Sequence, residues 1–197
     1  MTVSLWEYTT DVVSDELKRI ARTAPDVYVV MVFVWTAPST DPRWSTIRLR
    51  WDTEERYAER ASGAPDSDRL ALRWSRQYLL RSDREWWDRD DDPPGHDALK
   101  HWAIDRALWF EGERDEVDDA TVDLGLELAD RLIERLIATV RKMHSDGTVQ
   151  AAFGRDIPVV LMPHDSHSRY PEWNRDANPP ELYAQFGPYY ESVWGPG

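Results

Sequence analysis

Cysteine is absent from the 197-residue sequence. That excludes disulfides, a thiolate nucleophile and any zinc site built on cysteine. It is compatible with a cytoplasmic location, which is the expectation here. Glycine is scarce, with nine residues, and none are spaced as a phosphate-cradling loop requires. There is no G-x-S-x-G elbow, so hydrolase chemistry of that kind has no support. Long apolar runs are also missing. The longest, VYVVMVFVW from Val27 to Trp35, has nine residues, whereas a membrane helix needs about twenty. The N-terminal MTVSLWEYTTDVVSDELKR lacks a basic region followed by an apolar one, so a cleavable leader is not expected.

Positive charge is in deficit. Lys and Arg total 24 against 37 Asp and Glu, for a net charge of −13. A protein that binds nucleic acid through its phosphates needs a basic surface or stripe, and the sequence shows none. Anionic membrane surfaces are disfavoured for the same reason. The balance fits a basic protein partner, or solubility alone.

Aromatic and patterned segments are plentiful. Eleven tryptophans supply core volume, and some are candidates for a contact surface. The chain length suits a single domain, residues 1–197. A first helix is predicted over Asp11–Thr23, with Ser14 as a candidate N-cap and Pro25 as its stop. Val27–Thr36 is apolar on both faces and suits a central strand. WSTIRLRW alternates, with Ile47, Leu49 and Trp51 opposite Arg48 and Arg50, and predicts an antiparallel neighbour. Asp52 and Glu55 have the spacing of a capping box at the start of a helix.

LALRWSRQYLL and HDALKHWAIDRALWF both look helical, with Leu72, Trp74, Leu99, Trp102 and Ala103 as candidate core positions. From about Thr121 to His144 the apolar residues Leu128, Ala129, Leu132, Ile133, Leu136, Ile137, Val140 and Met143 keep helical spacing. That segment is expected to be the longest element, ended by Gly147. A strand IPVVLM, a polar loop and a short helix PPELYAQF follow. The order predicts an α+β fold, with an antiparallel or mixed sheet packed against several helices.

Two stretches invite a functional reading. In MPHDSHSRYPEW, His164, Asp165 and His167 could together bind a divalent ion and support a metal-dependent hydrolase. Their spacing matches no metal motif, and Pro163 and Pro171 flank them as in a turn, so no metal is expected there. In REWWDRDDDPPGHD, Asp88, Asp90 and Asp92 alternate like the first ligands of a calcium loop. Pro93 then stands where that loop needs glycine, and Leu99 where it needs glutamate. The alternative is an acidic contact loop, with Trp86 and Trp87 as apolar anchors and Asp88, Asp90, Asp91 and Asp92 as the steering charge.

Several segments resemble the bacterial family called domain of unknown function 4303. They are the strand VYVVMVFVW with a second strand and DTEER, where Asp52 replaces an expected Asn; LRWS; the tryptophan pair Trp86 and Trp87; and the run from VRKMHSDG to NPPELYAQF. The resemblance spans about Asp15 to Phe186. It implies an α+β domain of unassigned chemistry, in a setting that includes immunity partners of secreted toxins. It carries no catalytic residues and implies no cofactor. A His pair is not part of that pattern. Three readings remain: a non-enzymatic, immunity-type interaction domain facing a basic toxin, the metal-dependent hydrolase, and a housekeeping domain whose acidity serves solubility.

Overall fold

The apolar run forms the strand at the heart of the sheet. In the computed structural model, which describes residues 4–35, 42–110, 119–163 and 169–195, β1 (Val27–Trp35) is buried over almost its whole length. It pairs antiparallel with β2 (Thr46–Thr53) and parallel with β4 (Val159–Pro163), and the two-residue β3 (Leu80–Arg81) closes the other side. The four-stranded order is β3-β2-β1-β4, a mixed sheet. Val30, Val32 and Val34 pair with Trp51, Leu49 and Ile47 on one face, while Met31 and Phe33 pair with Arg50 and Arg48 on the other. Burial strengthens every such apolar pair.

Eight α-helices surround this sheet among the described residues: α1 (Leu5–Thr23), α2 (Glu54–Ala61), α3 (Arg69–Trp74), α4 (Pro93–Ile104), α5 (Asp119–Ser145), α6 (Thr148–Phe153), α7 (Tyr170–Ala177) and α8 (Pro180–Trp194). The architecture is α+β. Buried side chains from Leu5 to Tyr190 make one continuous cluster. At 27 residues, α5 is the longest element, and Leu128, Leu132, Leu136, Val140 and Met143 are its buried stripe. Gly147 follows it with φ 77°, a left-handed turn that glycine adopts without a Cβ penalty. No described helix is long and apolar enough to cross a membrane.

Several boundaries differ from the sequence reading. Ser14 lies inside α1, whose true N-cap is Ser4, with Glu7 completing a capping box. Asp52 is not a cap. It is the penultimate residue of β2, and Thr53 caps α2 by accepting from the Arg56 amide. LALRWSRQYLL stays helical only to Trp74, then passes through a short 3-10 turn into β3. Tertiary contacts override local propensity there, because side chains from elsewhere take the carbonyls. Arg60 donates to Leu72 O, Arg50 to Arg76 O and Arg56 to Tyr78 O. The polar run before the last helix holds an additional helix, α7.

That helix has a definite task. β4 is an edge strand, and its outward N–H and C=O groups at Val159 and Leu161 would otherwise be unpaired. Asn174 accepts from Leu161 N at 2.8 Å and donates to Leu161 O at 2.9 Å. One turn on, Asn178 accepts from Val159 N at 2.9 Å and donates to Val159 O at 3.0 Å. Two side-chain amides at i and i+4 therefore stand in for a neighbouring strand. Both are buried.

His144 of α5 extends this ladder. Its Nε2 lies 3.3 Å from Asn178 Oδ1; that oxygen can only accept, so Nε2 carries the proton. Burial pushes the His144 pKa down, and contact with Asn178 and Asp156 only partly opposes it. The folded protein thus prefers the neutral ring. Below about pH 6.5 the unfolded chain gains a proton at this position before the folded chain does. Its contribution to stability is complete above that pH and is lost as pH falls toward the depressed folded value. Urea unfolding of the wild type should show stability dropping between about pH 7.5 and about pH 5.5, on either side of the free imidazole pKa, with a shallower drop in His144→Gln. Equal slopes for the two proteins would contradict this assignment.

Candidate functional site

The acidic loop is built from the inside. Trp86 exchanges backbone hydrogen bonds with Ile47 at 2.9 and 3.0 Å, forming an isolated bridge to the sheet. Trp87 is fully buried, sits edge-on to Trp6 at 6.4 Å and donates its indole N–H to Thr9 Oγ1 at 3.1 Å. Its φ of 67° is left-handed, an uncommon setting for a bulky side chain and one held only when the surroundings over-determine it. Both tryptophans were expected as exposed interface anchors. Their burial removes that role: they anchor the loop to the core, and only a small part of Trp86 reaches the surface.

The four aspartates divide by task. Asp92 is buried. Its Oδ2 accepts from Trp87 N at 2.9 Å, and its Oδ1 accepts from Gly95 N, as the N-cap of α4, and from the Tyr8 hydroxyl. Burial and the Asp92 carboxylate together drive the Tyr8 pKa upward, so Tyr8 stays a donor. Asp88 is half-buried, and its Oδ1 accepts the Asp90 and Asp91 amides at 2.8 and 2.9 Å. This local turn explains the alternating aspartates without any ion. Only Asp90 and Asp91 are exposed.

Beside the loop lies a depression of about 450 Å³ between it and α1. Val12 and Trp86 contribute apolar surface, and Asp83, Glu85, Asp91 and Asp92 line its walls together with one cation, Arg84. The Asp83 side chain is 89% exposed, with Arg19 3.9 Å away. Glu85 accepts from Thr46 and pairs with Arg48. Asp83 and Glu85 stood outside the sequence reading of this site, because nothing local signals that they share a wall with Asp91.

Across the loop, toward α4, Arg43, Arg89 and Lys100 surround Trp44, His96 and Trp109. These cations come from three separate segments, so no basic run marks them in the sequence.

His164, Asp165 and His167 lie outside the described residues. Among the described residues, no group of three His, Cys, Asp or Glu side chains is placed to hold a metal ion. No family model matches the chain, and neither does any curated protein or solved structure.

Proposed function

We propose that this protein is a non-enzymatic interaction domain that binds a basic protein partner on the acidic wall between α1 and the 83–92 loop. The observation that carries the reading is the rigidity of that wall. The loop is fixed by the Trp86 bridge, the buried Trp87 and the three hydrogen bonds accepted by Asp92. Carboxylates held on an ordered loop lose little side-chain and loop entropy when a partner docks. A lysine or arginine entering the depression would lay its aliphatic stem on Val12 and Trp86 and its charge against Asp83 and Asp91. The net charge of −13 would steer such a partner toward the protein.

The finer proposal is an immunity-type protein that occludes a basic toxin in the cytoplasm; it rests on the sequence resemblance to the bacterial family called domain of unknown function 4303, which no family model reproduces. The decisive experiment starts with a partner captured by crosslinking in the source cell or encoded beside this gene. Asp83→Asn, Asp90→Asn and Asp91→Asn, combined, should slow association about tenfold at low salt, and the difference should shrink as salt rises. An unchanged association rate removes the steering role. A cognate partner that is itself acidic removes the proposal.

A further inference from the structure

α1 and α5 part where short side chains face each other. Thr10 of α1 and Ala138 and Thr139 of α5 leave a groove of about 550 Å³ between the two helices, within the size range of small-molecule sites. Trp6, half-buried and one turn before Thr10, gives the groove an aromatic wall. Longer charged side chains flank it. Glu7 and Asp11 stand on the same face of α1, and Arg135 and Lys142 lie one turn to either side of Ala138 and Thr139 on α5.

Two hydroxyls of this groove are idle. A threonine inside a helix can return its hydroxyl to a carbonyl three or four residues back. α1 shows this twice, with Thr9 donating to Leu5 O at 2.7 Å and Thr23 to Ile20 O at 2.9 Å. The Thr10 and Thr139 side chains make no hydrogen bond among the described residues. Thr139 is only 9% exposed, and it lines the groove. A hydroxyl so enclosed gains most from a partner that enters there. The charges divide as well. Glu7 is held by its capping box with Ser4, and Lys142 by Asp146 at 2.7 Å. Asp11 and Arg135 make no ion pair among the described residues. Arg135 lies over the Trp6 ring, 5.8 Å from its centroid. One acid and one base, on facing helices, are thus left available.

We infer that this groove binds a free α-amino acid with an apolar side chain, as the zwitterion. The ammonium group of the ligand meets Asp11. Its carboxylate meets Arg135, whose planar fork suits two parallel hydrogen bonds. The Thr10 and Thr139 hydroxyls donate and accept, so each serves either end of the ligand. The apolar side chain lies on Trp6 and Ala138. Other small ligands fit less well. A simple anion meets Glu7 and Asp11, and a simple cation meets Arg135 and Lys142. An uncharged ligand takes water from Asp11 and Arg135 and returns no partner to either. The groove shares no lining residue with the acidic wall, so its failure would leave the protein-partner reading untouched.

The test is titration of the full chain with L-phenylalanine and L-leucine, followed by indole N–H signals in two-dimensional NMR. N-acetyl-L-phenylalanine, which lacks the ammonium, and L-phenylalanine amide, which lacks the carboxylate, are the comparisons. At least one of the free amino acids should saturate the shift of the Trp6 signal at millimolar concentration, and neither derivative should. Asp11→Asn and Arg135→Gln should each weaken binding about tenfold, the scale of one lost charge-assisted hydrogen bond. Thr139→Val keeps the shape and removes the hydroxyl, and should weaken binding about threefold. Asp66→Asn, which does not line the groove, should leave it unchanged. Failure of both amino acids to saturate any shift would overturn the proposal. So would equal binding by either derivative, or by the Asp11 and Arg135 variants. A Trp6 shift that follows protein concentration without any amino acid would overturn it too, because the groove then belongs to a second copy of the chain.

Discussion

Asn174→Leu is expected to destabilise the fold by about 2–6 kcal/mol. The leucine keeps the branched outline of the asparagine but is larger, so slight overpacking adds to the loss. What disappears is a matched pair of hydrogen bonds to Leu161 N and Leu161 O. Both backbone groups then stay buried without partners, at about 1–3 kcal/mol each. Asn178→Leu should act similarly through Val159 and should also strip His144 of its partner. Because the two asparagines serve adjacent rungs of one edge, the double variant should open β4 to pairing with a second chain. Urea denaturation should show the lowered midpoint with an unchanged slope for each single variant. Size-exclusion chromatography should show self-association of the double variant. A loss below about 1 kcal/mol would mean that water replaces the amides, and that the edge is not sealed by them.

The same helix shows where the sequence stopped being readable. The long α5 and the strand β2 declare themselves through periodicity, and β1 through an unbroken apolar run buried on both faces. α7 carries its buried positions as Tyr170, Pro171, Trp173, Asn174 and Ala177. A proline and a buried asparagine break the apolar pattern, so the segment reads as a loop. Asn174 is buried because of the strand it faces, and that strand pairs parallel with β1, a relation no local pattern contains. Ser4 and Glu7 did carry a legible signal, the S-x-x-E spacing, but Ser14 offered a competing one nearer the apolar run.

The acidic loop was legible as charge and misread as an interface in its apolar half. Two tryptophans flanked by Arg84, Glu85, Asp88 and Arg89 look exposed. Only the bridge from Trp86 to Ile47 and the left-handed backbone at Trp87 turn them inward. The same three-dimensional assembly brings Arg43, Arg89 and Lys100 to one cleft. Local composition around each is mixed or acidic, so only folding reveals that they meet.

Asp52→Asn is expected to cost about 3 kcal/mol, the scale seen when one partner of a buried ion pair is removed. Asp52 was read as a helix cap; its side chain is fully buried. Its Oδ1 accepts from Arg56 Nε at 3.0 Å, and its Oδ2 pairs with Arg60, whose side chain is only 19% exposed. The Tyr28 hydroxyl lies 2.9 Å from the same Oδ2, and burial followed by the Asp52 charge drives its pKa upward. One carboxylate thus fixes two arginines of α2 and a tyrosine of β1. Those arginines in turn hold the Leu72 and Tyr78 carbonyls, on either side of the irregular turn that replaces an expected helix. Asparagine keeps the shape but leaves two guanidinium groups without their charge partner and offers one of them an amide donor in place of an acceptor. Arg60→Gln alone should cost less, because Arg56 remains on Asp52. The double variant should cost less than the sum of the singles by about 1 kcal/mol or more, as contacting residues do. Limited proteolysis should cut Asp52→Asn within residues 72–79 faster than the wild type, since the carbonyls there have lost their donors. Additive energies in the double variant, or no change in cleavage there, would mean that α2 and the turn are held by packing and not by this carboxylate.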